Sequence, residues 1–296
     1  MLVACVVVSM LLVSAFGASL NTFLFYKYLT KSGVKTTFRK LCLLKTIPNT
    51  IVCLVFLLWA VPLTALSIPF QNIPLSMNRY LGQLSGFGAY VAGPLIQLFM
   101  AFNRCFVIFF PMKTIGRKFS RAANVSIVVI VIIAVLFAGV GVILPSCGFV
   151  YDPELLQWKA EESECAFEMG IVLFCTVIVL TAISNTLNFF TFVKLCFDAP
   201  KGLSNETIIR RRRQRIRLFA QSAIQDCLHV VDMINYNLIA PLDKSPLFQF
   251  VFISMSLLLI HALDGLVMWL FHSDISSNSK VTSVKTVSVL PAPNNS

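Results

Sequence analysis

The chain has 296 residues, of which 57% are hydrophobic and only 12% are charged. Soluble domains carry about 25% charged residues, so this composition excludes a disordered chain, a collagen-like fibre and a coiled coil, and it leaves too little polar surface for a water-soluble globule. The few charges are unbalanced, with 24 lysines and arginines against 13 acids and a formal net charge of +11. In so apolar a chain, a basic excess favours an anionic membrane face over nucleic acid as the partner.

Seven apolar runs are long enough to cross a bilayer, which takes about 20 helical residues each. We therefore predict an all-α fold, a seven-transmembrane helix bundle that occupies residues 1–271. The spans are placed near residues 2–26, 41–66, 83–108, 123–145, 168–193, 216–240 and 247–271. Residues 272–296 are polar and lack periodicity, so we predict a disordered cytoplasmic tail there.

The basic residues sort to one side of these spans. Of the 24 lysines and arginines, 21 lie in or beside the connections after spans one, three and five or in the tail, and the other three are Arg79, Lys159 and Lys244. The positive-inside rule then predicts that the N-terminus lies outside and the C-terminus inside. The protein is expected to be a multi-pass protein of the plasma membrane, in contact with membrane lipid.

Two of the nine cysteines differ from the rest in their predicted surroundings. Seven lie within spans or at their cytoplasmic ends, where the ordinary interpretation is apolar packing. Cys147 and Cys165 alone fall on the outer side, at the two ends of the loop between spans four and five. We predict a disulfide between them, which would close a loop of about twenty residues.

Span six carries a stripe of polar residues at spacings of three and four, the repeat of one helix face. The stripe consists of Gln221, Gln225, His229, Asp232 and Tyr236, with Asp226 beside it. Such side chains are costly in lipid, so the stripe should face the bundle interior. Two interpretations stay open: hydrogen bonds that hold the helices together, or a part in ligand binding and switching.

Depth along the helices divides the polar residues into two groups. From the rise per residue of an α-helix, we place Asn21, Asn49 and Asp264 roughly 8 to 12 Å from the cytoplasmic ends of their spans. We predict a polar network in the inner half, and its members are Asn21, Asn49, Asp226, His261 and Asp264. A ligand pocket is predicted in the outer half, with lining residues Tyr90, Gln97, Asp232 and Tyr236.

The end of span three reads Asn103-Arg104-Cys105, and Pro111 follows the arginine by seven residues. Rhodopsin-like receptors have an acidic-Arg-aromatic triplet here with a proline at the same distance, and this segment resembles it with Asn103 in place of the acid. This resemblance implies a rhodopsin-like receptor architecture for the bundle. An asparagine cannot form the ion pair that restrains that arginine, so we expect Arg104 to be held less tightly at rest or by some other partner. The predicted coupling face consists of Asn103, Arg104, Pro111, Arg213 and Arg217.

Arg213 and Arg217 belong to a run of six arginines over residues 210–217. Two interpretations stay open for this run: a solvated, membrane-facing end of span six, or contact with a G protein. Nucleic-acid binding is disfavoured, because neither stacking aromatics nor a folded basic module accompanies the run.

Four segments resemble the nematode serpentine receptors of class x. They read FRKLCLLKTIPN entering span two, FNRCFVIFFPM leaving span three, FAQSAIQD in span six and HALDGLVMWLF in span seven. The resemblance covers most of the chain and implies a G-protein-coupled chemosensory receptor in the cilium of a sensory neuron. A small-molecule ligand and a heterotrimeric G protein would be its partners. By motif match, Asn103 and Arg104 fall on the coupling face, and Asn49, Asp226 and Asp264 on polar positions of the bundle.

A multi-pass transporter or channel is the alternative function. It would predict an internal repeat or interrupted helices, and no repeat is found. An enzyme is disfavoured because the aspartates lack the flanking motifs of intramembrane aspartyl proteases, and the sequence has no His-Glu-x-x-His motif. We expect no catalytic residue, no metal site and no cofactor.

Overall fold

Seven long helices form one bundle in the computed structural model. The structure describes residues 2–30, 37–110, 117–144, 146–197 and 205–277. Numbered in chain order, the helices are α1 (Leu2–Thr30), α2 (Thr37–Ala65), α3 (Leu75–Phe109), α4 (Arg117–Ile143), α5 (Glu164–Phe197), α6 (Asn205–Ile234) and α7, which comprises Pro246–Gln249, Phe250–Met255 and Ser256–Ser277.

Within the described residues, six of these helices are long and apolar enough to cross a membrane. The exception is α6, which carries the polar stripe predicted from the sequence and the arginine run at its start. Its buried polar residues include Gln225, His229 and Asp232. A helix of this composition is accommodated in a membrane only when its polar face is covered by other helices.

The helices close into a ring around α3. Helix α1 packs against α2 and α7, α7 packs against α6, and α6 packs against α5. Helix α3 contacts α2, α4, α5 and α6, and two-thirds of its most apolar stretch is buried. Helix α4 lies at the periphery, where an apolar surface faces outward. The polar face of α6 is thereby enclosed by α3, α5 and α7.

A β-hairpin corrects the prediction of an all-α fold. Strands β1 (Phe149–Asp152) and β2 (Gln157–Ala160) pair antiparallel, with Phe149 opposite Ala160, in the connection between α4 and α5. Two four-residue strands are too short to show in a hydropathy profile. The end of the bundle that carries this hairpin is called the hairpin end, and the opposite end, where Arg104 and Arg217 lie, the arginine end.

The predicted disulfide is confirmed. Cys147 and Cys165 are bonded, with their Cα atoms 5.1 Å apart. The bond joins Cys147, two residues before the hairpin, to the first turn of α5. Both ends of the hairpin are thus anchored to the helix bundle.

Among the described residues, three helices contain a wider, π-helical segment and a fourth such segment directly follows α6; all four lie toward the hairpin end. They are Phe56–Ala60 in α2, Gln83–Ala89 in α3, Asn235–Ile239 directly after α6 and Phe250–Met255 in α7. A π-helical turn rotates the side chains that follow it and often occurs at functional sites. The hairpin end is therefore less regular than the arginine end.

The interior consists of two apolar clusters with polar side chains between them. One cluster lies toward the hairpin end and includes Met10, Phe56 and Trp158; the other lies toward the arginine end and includes Leu24 and Met100. Buried polar residues occupy the intervening positions on α1, α2 and α7. They are Asn21, Lys45, Asn49, His261 and Asp264, and we call this set the ionic layer.

Candidate functional site

The ionic layer is organised around the carboxylate of Asp264. The Lys45 ammonium lies 3.0 Å from Asp264 Oδ1, and both side chains are almost fully buried. This contact is an ion pair, since the ammonium is not aligned as in a hydrogen bond. Asn49 Nδ2 donates to Asp264 Oδ2 at 2.8 Å, and Gln225 Nε2 donates to Oδ1 at 2.6 Å. The negative charge therefore has a cation and two amide donors within the protein.

The remaining members of the layer join α1 and α7 to this carboxylate. Asn49 Nδ2 also lies 3.3 Å from Asn21 Oδ1, and Asn49 Oδ1 lies 2.9 Å from His261 Nδ1. Asn21 donates to the carbonyl of His261 at 3.3 Å. A Cβ at Gly265 would meet the Asn21 amide at 2.7 Å, so only glycine allows this approach of α1 and α7. The structure thus brings Asn21, Asn49, His261 and Asp264 into one network.

Asp226, the fifth predicted member of the network, lies in an adjoining group between α5 and α6. Its Oδ2 accepts hydrogen bonds from Ser184 at 3.0 Å and Asn188 at 3.3 Å. Asn188 also donates to Ser222 Oγ, and the same oxygen accepts a 2.9 Å bond from Arg104 Nη2. Ser222 therefore connects α3, α5 and α6 near the arginine end.

Arg104 is buried and is hydrogen-bonded to groups other than an acidic neighbour. Besides the bond to Ser222, its Nε donates to the carbonyl of Met100, and its guanidinium lies 5.6 Å from the ring centre of Phe38. Arg217 Nη2 donates to the carbonyls of Leu270 and Phe271 at 3.3 and 3.4 Å. Arg104 of α3 thus contacts α6 at Ser222, and Arg217 of α6 contacts the backbone of α7.

The other predicted coupling residues are placed as follows. Asn103 lies one residue before Arg104 on the side of α3 that faces α2 and α4, and no donor among the described residues binds its buried side-chain oxygen. Pro111 and the side chain of Arg213 fall outside the described residues.

Toward the hairpin end, a third buried aspartate has quite different partners. Asp232 Oδ2 accepts a 2.8 Å hydrogen bond from the phenol of Tyr90, and Oδ1 accepts a 2.5 Å bond from the hydroxyl of Ser256. Only 4% of Asp232 is exposed. Among the described residues, no lysine or arginine forms an ion pair with this carboxylate.

Asp232 lines a cavity of about 60 Å³ at the junction of α3, α5, α6 and α7. Most of the wall is apolar and aromatic, and the hairpin supplies Phe149 and Ala160. The full lining is Gly86, Phe87, Tyr90, Phe149, Ala160, Gly170, Leu173, Phe174, Asp232, Met233, Tyr236, Asn237, Ile253 and Leu257. Three of the four predicted pocket residues (Tyr90, Asp232 and Tyr236) thus share one cavity.

The fourth predicted pocket residue, Gln97, lies elsewhere. Its amide donates to Gln225 Oε1 at 3.1 Å, two turns of α3 from Tyr90 and within reach of the ionic layer. Between the two levels, the rings of Tyr90, His229 and His261 meet edge to face at 5.9 to 6.4 Å between centres. These three rings separate the cavity from the ionic layer.

The hairpin is a buried lid over this end of the bundle. Tyr151 and Trp158 are fully buried, the Tyr151 hydroxyl lies 2.7 Å from that of Thr64, and Asn78 bonds both backbone groups of Tyr151. Burial raises the pKa of the Tyr151 phenol to about 12, with the hydrogen bond with Thr64 opposing the rise and the nearby Asp152 carboxylate adding to it. The hairpin is therefore packed as core.

Charged residues at the rim of the lid pair with one another. Arg79 binds Glu161 through a 2.7 Å ion pair, and Lys159 lies 2.8 Å from Asp152. Glu161 also accepts the backbone N–H of Gly148. Arg79 and Lys159 are thus both paired with acidic residues of the lid, so neither of them neutralises Asp232.

The bundle has a polar interior, a cavity covered by the hairpin at one end and a buried arginine at the other. One sequence match decides which family such a bundle belongs to. A family model described as the serpentine type 7TM GPCR chemoreceptor Srx matches residues 11–272. The chain belongs to this family. It is a multi-pass membrane protein and a chemosensory receptor of the G-protein-coupled class, a class that functions by ligand binding rather than catalysis. A comparison with curated proteins gives no match.

Sequence reasoning missed several members of the site. Lys45 was counted only as a basic residue near the inner membrane face, although it lies four residues before Asn49 and so on the same side of α2. Ser184, Asn188 and Ser222 gave no signal, because small polar residues are common in membrane helices. Ser256 was missed for the same reason.

Proposed function

We propose that this serpentine receptor binds a small extracellular ligand in the hairpin-end cavity and signals by a shift of α6 at the arginine end. The observation that carries the proposal is the arrangement along α6. One helix contributes Asp232 to the cavity, Gln225 to the ionic layer and Ser222 to the contact with Arg104. A movement of α6 would alter all three levels together.

The orientation in the membrane is part of the proposal. The hairpin end is taken to face outward and the arginine end to face the cytoplasm and the G protein. Support comes from the charge distribution, since 21 of 24 basic residues lie on the side assigned to the cytoplasm. The disulfide at the hairpin end also suits an oxidising compartment.

Coupling would involve the face that contains Asn103, Arg104, Pro111, Arg213 and Arg217. In the described conformation Arg104 is bonded to Ser222 of α6, which suits a resting state. Ligand binding would favour a second state in which this bond is broken and a cleft opens beside Arg104. A ligand shifts such an equilibrium only by the difference in its affinity for the two states.

The coupling step is tested by Arg104→Ala in cells with a G-protein readout. Signalling is expected to be lost while surface expression is kept, because the guanidinium would contact the G protein directly. Arg121→Ala removes an exposed arginine of α4 at the same end and serves as the matched control. Unchanged signalling in Arg104→Ala would contradict the role of this residue.

A second variant tests the proposed movement of α6. Ser222→Ala removes the oxygen that binds both Arg104 and Asn188. A hydrogen bond to a charged group contributes about 1.5 to 3 kcal/mol, so basal signalling is expected to rise about tenfold or more. A fall in basal signalling at equal surface expression, or solute flux without any G-protein response, would contradict the proposal.

A further inference from the structure

The three aspartates buried among the helices differ in how their charge is balanced. Asp264 is paired with the Lys45 ammonium. Asp226 is hydrogen-bonded to Asn188, which shares Ser222 with the guanidinium of Arg104. Within the part of the chain that the structure describes, Asp232 has only neutral donors.

The two donors of Asp232 are hydroxyl groups, which leave its charge uncompensated. A carboxylate taken out of water without a cation is strongly disfavoured, even when it accepts hydrogen bonds. Tyr90 and Ser256 fix the position of the carboxylate from two sides, and its remaining accessible edge contributes to the cavity wall. A positive charge in the cavity would complete this site.

The walls of the cavity suit a cation of a particular kind. Five aromatic rings line it, and they are Phe87, Tyr90, Phe149, Phe174 and Tyr236. Aromatic faces attract organic ammonium ions, while the apolar remainder of the wall favours an alkyl group over further polar groups. An anionic ligand would instead be repelled by Asp232.

The size of the cavity limits the ligand. The cavity has a volume of about 60 Å³, which exceeds the roughly 10 to 15 Å³ that a single water molecule occupies. The space therefore suits a small ligand with few non-hydrogen atoms.

We propose that the cavity binds a small alkyl amine as its ammonium ion, with the nitrogen donating to Asp232 and the alkyl group lying among the aromatic rings. This proposal rests on the proposed function, in which the same cavity is the ligand site. It goes further by naming the chemical class of the ligand.

The experiment compares three probes of similar shape and different charge. The purified full chain in lipid nanodiscs is titrated with isobutylamine, isobutanol and isovalerate, and the thermal unfolding midpoint is followed. A ligand that binds only the folded state raises this midpoint. We expect the amine to raise it and the alcohol and the carboxylate to leave it unchanged.

Two pairs of variants locate the effect. Asp232→Asn keeps an acceptor for Tyr90 or Ser256 but removes the charge, and should weaken amine binding about tenfold or more. Glu168→Gln removes an exposed carboxylate of α5 at the same end and should not. Gly170 lines the cavity, so Gly170→Leu should narrow the cavity and reduce the shift, whereas Gly139→Leu changes a residue of α4 outside the lining and should not.

Three results would overturn the amine proposal. They are a midpoint unaffected by any amine from ethylamine to hexylamine, equal stabilisation by isobutanol, and an amine effect that persists in both Asp232→Asn and Gly170→Leu. None of these results affects basal signalling through Arg104 and Ser222, which needs no ligand. Failure of the ligand class and failure of the proposed receptor mechanism are therefore distinguishable.

Discussion

Asp264 and Asp232 are both buried in the bundle on neighbouring helices, yet the two carboxylates differ in the partners that balance their charge. Asp264 is neutralised within the protein by Lys45 and held by two amides. Asp232 is held by two hydroxyls and lines a cavity. The first arrangement is complete without a ligand and joins helices. The second leaves the carboxylate without a paired cation among the described residues.

The difference follows from which helices meet at each level. At the ionic layer, α1, α2 and α7 approach closely, and Gly17 and Gly265 allow this contact. At the cavity, Tyr90, Asp232 and Ser256 join α3, α6 and α7, and a space lined in part by the hairpin remains beside the carboxylate. Close packing excludes a ligand, so the buried carboxylate needs a counter-charge within the protein. A gap instead leaves room for a ligand.

The largest expected effect comes from breaking the ion pair. Lys45→Met leaves the Asp264 carboxylate buried without a cation, which should lower the free energy of unfolding by about 3 to 5 kcal/mol. Thermal unfolding of the purified protein measures this loss. Lys40→Met is the matched control, because its ammonium makes only a surface contact with Asn124 and such contacts contribute little.

The double variant Lys45→Met/Asp264→Leu tests the same pair from the other direction. Removing both charges should restore most of the stability lost in the single variant. Equal unfolding midpoints for Lys45→Met and Lys40→Met would show that the ion pair does not stabilise the layer.

A smaller effect is expected from displacing the lid. A Cβ at Gly82 would overlap the carbonyl of Phe149 on the hairpin. Gly82→Ala should therefore lower stability by about 1 to 3 kcal/mol and disturb the cavity wall while leaving the ionic layer intact.

Gly139→Ala serves as its control, because a Cβ there meets no atom within 4 Å. Thermal unfolding gives the cost, and accessibility of the cavity to isobutylamine shows whether the lid has moved. Equal stability of the two variants would mean that the hairpin is not tightly packed on α3.

The smallest effect concerns the pH dependence of the lid. Burial raises the pKa of Tyr151 to about 12, above the value of about 10 for an exposed tyrosine. The unfolded chain therefore releases this proton first, so the stability contributed by the neutral phenol is complete below pH 10 and is lost as the pH rises toward 12. The loss should be up to about 2 kcal/mol.

Tyr151→Phe should flatten this part of the stability profile, at the cost of the hydrogen bond with Thr64. Tyr80→Phe, at a half-exposed tyrosine of the same end, should keep the wild-type profile. Chemical unfolding at pH values from 9 to 12 makes the measurement. An unchanged slope in Tyr151→Phe would show that this phenol does not control it.

Much of the architecture could be predicted from local patterns. The apolar runs predicted the long helices, the sorting of cysteines predicted the bond between Cys147 and Cys165, and spacing predicted the buried stripe of α6. Each of these depends on neighbours a few residues away or on which side of the membrane a residue lies. Such properties are already present in the order of residues.

The partners of the buried charges were decided only by the tertiary structure. Hydropathy placed Asp232 and Asp264 inside the bundle but could not say that one meets Lys45 and the other Tyr90, because those contacts join residues more than 140 positions apart. The hairpin and the position of Gln97 beside Gln225 depend in the same way on packing between distant helices. The sequence alone determined that charged residues lie within the membrane. The packing of the helices decided which of them is paired with an opposite charge inside the protein.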